Sequence, residues 1–191
     1  MTSTLTMVTT NADKLAEAAR FLGPLGIRVE GVKLDLVEPM EQEMSTIVRS
    51  KASQAGAALG RPLLVDEAGL FLDAYPGFPG PFTKFIMRSL GFGGLARLTA
   101  DGAATGEMRA LVALWEPGGT LEIFDGRCRG RLLREPLGPE RAATPLSRIF
   151  VPDGFDQPLG LLDDEALFRT SHRARALAKL RDRLPLSNPT K

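Results

Sequence analysis

From its N-terminus the chain alternates between strand-like and helix-like apolar periods, and that alternation restricts it to an α/β architecture. A strand is expected over 5–9 and a helix over 11–22, ended by Gly23-Pro24. A second strand follows over 27–32, then a helix over 42–59 stopped by Gly60-Arg61-Pro62. The apolar stretch 63–72 reads as a strand region interrupted by Asp66-Glu67-Ala68-Gly69. Three prolines and two glycines in Tyr75-Pro-Gly-Phe-Pro-Gly-Pro81 exclude a helix or central strand there. Helical material resumes over 83–98, and β-rich runs over 108–115 and 120–128 around Glu116-Pro-Gly-Gly119 predict a hairpin. After a Pro/Arg-rich loop over 132–145, a short apolar piece precedes Pro152-Asp153-Gly154. The last helix is expected over 171–184, with 185–191 as a frayed tail.

The 191 residues suit one domain, with the hairpin region as a possible second lobe and no linker marking a boundary. With 24 Lys+Arg against 23 Asp+Glu the chain has no field for wrapping duplex nucleic acid, so any anion must be met by a local cluster. One Cys (Cys128) and one His exclude an internal disulfide and a thiolate or imidazole metal cage. No apolar run is long enough to span a membrane and no export signal opens the chain, so the cytoplasm is the default expectation.

Four places carry potential chemistry. On the 42–59 helix, Met44, Ile47, Val48, Ala55 and Leu59 form an apolar arc. Lys51 falls inside it, roughly 20° from Met44 on the helical wheel. An ammonium there either snorkels to water or meets an anion. In Thr9-Thr10-Asn11-Ala-Asp-Lys14, Asn11 is a candidate N-cap; free backbone N–H groups and Lys14 make either a phosphate cradle or a simple capped, solvated start. Ser171 is a candidate N-cap of the last helix. Arg173 lies in that helix's Leu177, Leu180, Leu184 stripe, against the dipole preference of a first turn. It needs a bound anion or a carboxylate from another element. Asp66-Glu67 suits a hard divalent cation and a water-activating base, or a plain polar strand end. Asp163-Asp164-Glu165 reads as a solvated helix start, and Cys128 as a small core residue.

In order along nearly the whole chain, these motifs resemble the inosine/xanthosine triphosphate pyrophosphatase family. Thr10-Asn11-Ala-Asp-Lys14 resembles the family's opening phosphate motif. Leu64-Val-Asp66-Glu67-Ala-Gly69-Leu70 and Pro79-Gly80-Pro81-Phe82-Thr-Lys84-Phe85 resemble its acidic pair and Pro-Gly loop. Val151-Pro-Asp-Gly154 and Ser171-His172-Arg173 resemble its C-terminal signatures. The resemblance implies an elongated mixed twisted sheet with flanking helices, two lobes around a central cleft, and a homodimer. It implies Mg²⁺-dependent hydrolysis of a nucleoside triphosphate to the monophosphate and pyrophosphate. Thr10, Asn11, Lys14, Lys51, Phe82, Lys84, Ser171, His172 and Arg173 would then hold the nucleotide, with Asp66 and Glu67 as the metal and base pair.

Four departures follow from the same comparison. Glu67 stands where the family's second acid is Asp, one methylene shorter. Thr46 stands where a metal-binding Glu is expected, with Glu43 or Glu41 as the substitute carboxylate. Thr144-Pro145-Leu146-Ser147-Arg148 replaces an aromatic-Gly-aromatic-Asp-Pro run that reads the purine. Leu167 replaces a lysine, with Arg169 nearby. These departures predict altered base specificity; the rival reading is a nucleotide-binding regulatory or partner protein of the same fold that has lost catalysis.

Overall fold

The structure is a computed structural model and describes residues 3–100, 104–139 and 145–184. Thr144, part of the 132–145 loop and the expected tail 185–191 lie outside the described residues. Among the described residues a seven-stranded mixed sheet is flanked by five α-helices. These are β1 (Ser3–Val8), α1 (Ala12–Leu22), β2 (Ile27–Val32), α2 (Met44–Leu59), β3 (Leu63–Leu72) and β4 (Pro79–Gly80). There follow α3 (Thr83–Leu98), β5 (Thr105–Glu116), β6 (Thr120–Leu132), β7 (Phe150–Pro152), α4 (Asp164–Thr170) and α5 (His172–Arg183).

The strand order is β2-β1-β3-β5-β6-β7, with β4 paired to β3. β1 runs parallel to both β2 and β3, whereas the pairs from β3 through β7 are antiparallel. β2 and β3 therefore follow on opposite sides of β1, and the helices that lead to them pack on opposite faces. α1 contributes Ala18, Phe21 and Leu22 to one core with Leu64 and Val112, completed by Leu177 and Leu180 of α5. α2 contributes Val48, Ala52 and Ala55 to another with Leu63, Val65 and Ala113. A third cluster at the far end of the sheet joins Leu70, Leu72, Met108, Cys128 and Phe150 to Leu95 of α3. The core is thus divided along the sheet, in keeping with the two-lobed expectation.

Three local features differ from the sequence reading. The Asp66-Glu67-Ala68-Gly69 stretch does not interrupt β3; it pairs in register with 109–112 of β5, because side chains that alternate between faces leave the backbone ladder intact. The helix over 83–98 is kinked at Gly91, whose φ of 62° lies outside helical space. The hairpin is longer than its apolar runs suggested, since charged positions alternate with small or apolar ones from Asp125 to Leu132 of β6.

Candidate active site

Met7 of β1 lies opposite Leu64 of β3, so β3 outruns β1 from about Asp66 onward. Beyond the end of β1, where the strand order reverses, lies the usual ligand position in open α/β sheets. Four elements deliver charged side chains to it.

Asn11 caps α1: its Oδ1 accepts from the backbone N–H groups of Asp13 (2.9 Å) and Lys14 (3.3 Å). The cap fixes where the helix starts and turns Lys14 towards the sheet, where Nζ donates to Asp66 Oδ1 at 2.8 Å. Asp66 is fully buried and also takes Arg173 Nε of α5 at 3.1 Å on Oδ2. Arg173 Nη1 donates to Glu17 Oε2 at 3.1 Å, and Ser171 Oγ donates to Glu17 Oε1 at 2.9 Å. Ser171 Oγ in turn accepts from the Ala174 N–H, capping α5 as expected. Of the two readings of Arg173, the structure shows carboxylates from other elements.

The next residue along β3 points the other way. Lys51, on the apolar arc of α2 with an 11% exposed side chain, donates to the Asp66 carbonyl oxygen (2.8 Å) and Glu67 Oε2 (3.0 Å). It also lies 3.0 Å from Glu38 Oε1. The buried-lysine reading holds, with carboxylates as the anions.

Burial opposes the charge on Asp66, yet Lys14 and then Arg173 outweigh it and hold the carboxyl below its ordinary range. For Glu67 burial wins over the attraction of Lys51, and Glu38 adds to it, so its proton affinity is raised. Burial also disfavours the charges on Lys51 and Arg173. Glu67, Asp66 and Glu38 overcome it for the first, Asp66 and Glu17 for the second, and both pKa values rise. His172 is driven down to about 3 by burial, with Arg173 as the next cause. It is a neutral imidazole whose buried Nδ1 has no hydrogen-bond partner.

The other expected site residues are placed differently. Thr10 is exposed and Phe82 half-buried, and Lys84 is exposed in the first turn of α3. It is Thr83 between them that is buried, its Oγ1 accepting from Leu70 N–H and donating to the Gly80 carbonyl, which ties the Pro-Gly loop to β3. Glu43 does not join Asp66 and Glu67. Among the described residues no three His, Cys, Asp or Glu side chains are grouped to hold a metal ion. Two geometric facts explain this: successive strand residues point to opposite faces, and eight helical residues put the start of α2 about 12 Å from Lys51. Glu43 instead borders a separate cleft of about 550 Å³ whose floor carries Glu107, Arg109, Asp125, Arg127 and Arg129. None of Lys14, Lys51, Asp66, Glu67, His172 and Arg173 lines that cleft.

Sequence reasoning missed Glu17 and Glu38. Glu17 sits one turn after Lys14 on the same side of α1. The signal for Glu38 was period-two: Leu34 and Leu36 pack against the α2 core, and Glu38 continues their alternation towards Lys51. Glu38 and Glu67 are hard oxygen donors already gathered around one positive charge. That donor set fits Mg²⁺, which takes one or two carboxylates and fills its shell with phosphate oxygens and water.

The chain has named relatives along nearly its whole length. A dITP/XTP pyrophosphatase from Methanopyrus kandleri is 34% identical over 172 residues, covering 90% of each chain. An inosine triphosphate pyrophosphatase from Tuber melanosporum is 34% identical over 184 residues, covering 95% of this chain and 97% of its own. In structure the chain is similar to a HAM1 protein from Coxiella burnetii, with a TM-score of 0.79, 23% identity and coverage of 94% of this chain and 97% of that one. The family model described as the Ham1 family matches residues 5–183. A chain matched over that span, with relatives this similar along their whole length, belongs to the Ham1 family.

Proposed function

We propose that the protein hydrolyses a nucleoside triphosphate, with water adding between the α- and β-phosphates to release the monophosphate and pyrophosphate. The observation that carries the reading is the convergence of Lys14, Lys51 and Arg173 on the Asp66-Glu67 segment, beyond the end of β1. Relatives named for dITP/XTP and inosine triphosphate pyrophosphatase activity support hydrolysis over nucleotide binding alone.

In this reading Lys14, Lys51 and Arg173 exchange carboxylate partners for phosphate oxygens, supported by the backbone N–H groups at the start of α1. Glu38 and Glu67 would hold Mg²⁺, which when bound would neutralise phosphate charge. The free oxygen of Glu67, whose proton affinity is raised, orients the attacking water and accepts its proton. Asp66, locked between two cations, fixes their positions and keeps its charge. The neutral imidazole of His172 offers its unpartnered Nδ1 to the nucleotide.

The base pocket departs from the family pattern. Pro145–Arg148 forms a short 3-10 turn, with Leu146 buried in the far core where an aromatic reader was expected. The substrate is therefore a modified, pyrimidine or pathway-specific nucleotide, bound by a cytoplasmic homodimer. Pyrophosphate release from a broad nucleotide panel with Mg²⁺ tests the reading. Wild type turns over at least one member, and Glu67→Gln slows it by ~10²–10⁴-fold. Folded wild-type protein that turns over none overturns it.

A further inference from the structure

An ammonium group has three N–H donors. Lys51 Nζ donates to the Asp66 carbonyl at 2.8 Å and Glu67 Oε2 at 3.0 Å, and is ion-paired with Glu38 Oε1 at 3.0 Å. With an 11% exposed side chain it has little room to reach further without releasing one of them. A phosphate oxygen gains Lys51 only when a carboxylate gives it up. That carboxylate, if Glu67, is left 13% exposed and charged, a costly state unless another cation replaces the ammonium. Conversely, a divalent ion arriving alone must expel Lys51 with no anion to receive it.

We propose that Lys51 is an internal counter-ion. It holds the cation position between Glu38 and Glu67 and couples the arrival of the metal to that of the triphosphate. The inference rests on the reading of Glu38 and Glu67 as metal ligands. Metal and nucleotide then strengthen each other's binding by the same factor. The device keeps the nucleotide-free protein poorly loaded with metal, and it loads the site when a phosphate chain can take over the lysine.

The test is a titration of Mn²⁺, followed by the loss of the free-ion electron paramagnetic resonance signal. Lys51→Met binds Mn²⁺ alone at least tenfold tighter than wild type, and its gain on adding an α,β-methylene nucleoside triphosphate is correspondingly smaller. Lys51→Arg, which keeps the positive charge, does not tighten. Because Lys51→Met leaves a buried glutamate, the unmutated protein supplies a second readout. Saturating Mn²⁺ without nucleotide raises acetic anhydride labelling of Lys51 severalfold relative to the exposed Lys33. Unchanged Lys51 labelling at Mn²⁺ saturation overturns the proposal. So does a Lys51→Met protein that binds Mn²⁺ no tighter than wild type while Glu38→Gln weakens the metal–analogue complex; the ligand reading then survives. If Glu38→Gln instead keeps that complex at wild-type affinity, the ligand reading falls and the counter-ion role with it.

Discussion

Asp66 illustrates how a single side chain serves fold and chemistry together. Its carboxylate joins α1 and α5 to the centre of the sheet through Lys14 and Arg173. Removing one member of a buried ionic group leaves the others uncompensated, at about 3–5 kcal/mol. Asp66→Asn keeps the shape and removes the charge, so urea denaturation is expected to show a loss towards the lower end, since Glu17 still faces Arg173. His172 gives a pH signature. Unfolded, it takes up a proton below its ordinary 6.5; folded, it resists until about 3. The unfolded state therefore binds more protons between those values, and stability falls as pH falls through that window. The slope from this residue approaches ~1.4 kcal/mol per pH unit, and His172→Gln is expected to flatten the denaturation midpoint over the same range. Lys51 and Arg173 were legible in the sequence because each broke the apolar pattern of its own helix. Of their partners, Asp66 and Glu67 stood out as an acidic pair in an apolar run, whereas Glu17 and Glu38 were missed, because neither local pattern records which cation a carboxylate on another element meets.

At the scale of elements, the approach of α5 to the sheet decides where Ser171, His172 and Arg173 sit. Gly126 of β6 permits it: a Cβ there would lie 1.9 Å from the His172 carbonyl oxygen and 2.6 Å from the Ala176 nitrogen. Both are backbone atoms, so the helix itself has to move. Gly126→Ala is expected to cost ~1–3 kcal/mol or more in thermal or urea unfolding, and to reduce kcat/KM by displacing Arg173. A Gly126→Ala protein with wild-type stability and activity contradicts this account of the helix position. The elements themselves were readable wherever one period dominated, as in 27–32, which matches β2 residue for residue, while 63–72 gave the bounds of β3 but not its continuity. The acidic pair misled because polar residues in an apolar run resemble a break. Here they mark the point where β3 leaves the cover of β1 and its two faces meet different helices.

For the molecule as a whole, the reversal of strand order brings α1 and α2 to opposite faces and their lysines to the Asp66-Glu67 segment. That topology was implicit in the early alternation of strand and helix. The register of β1 on β3, which sets Asp66 beyond the end of β1, depended on long-range pairing that no local pattern records. The far core is the part that departs from the family pattern. Discrimination by ~10⁴–10⁵ needs paired polar groups facing the base. With Leu146 turned into the core, selectivity between inosine and standard purine triphosphates is expected to stay below ~10²-fold in competition assays. A preference of 10⁴ or more contradicts that reading of the 145–148 turn.

The proposed function requires the two faces of the site to meet one occupant, and a crystal structure with Mg²⁺ and an α,β-methylene nucleoside triphosphate tests this most directly. The account predicts the triphosphate beyond the end of β1, within hydrogen-bond reach of Lys14, Lys51 and Arg173, with the metal on Glu38 and Glu67. A triphosphate lodged instead over Arg109, Arg127 and Arg129, with the Lys14–Asp66–Arg173 contacts undisturbed, contradicts it.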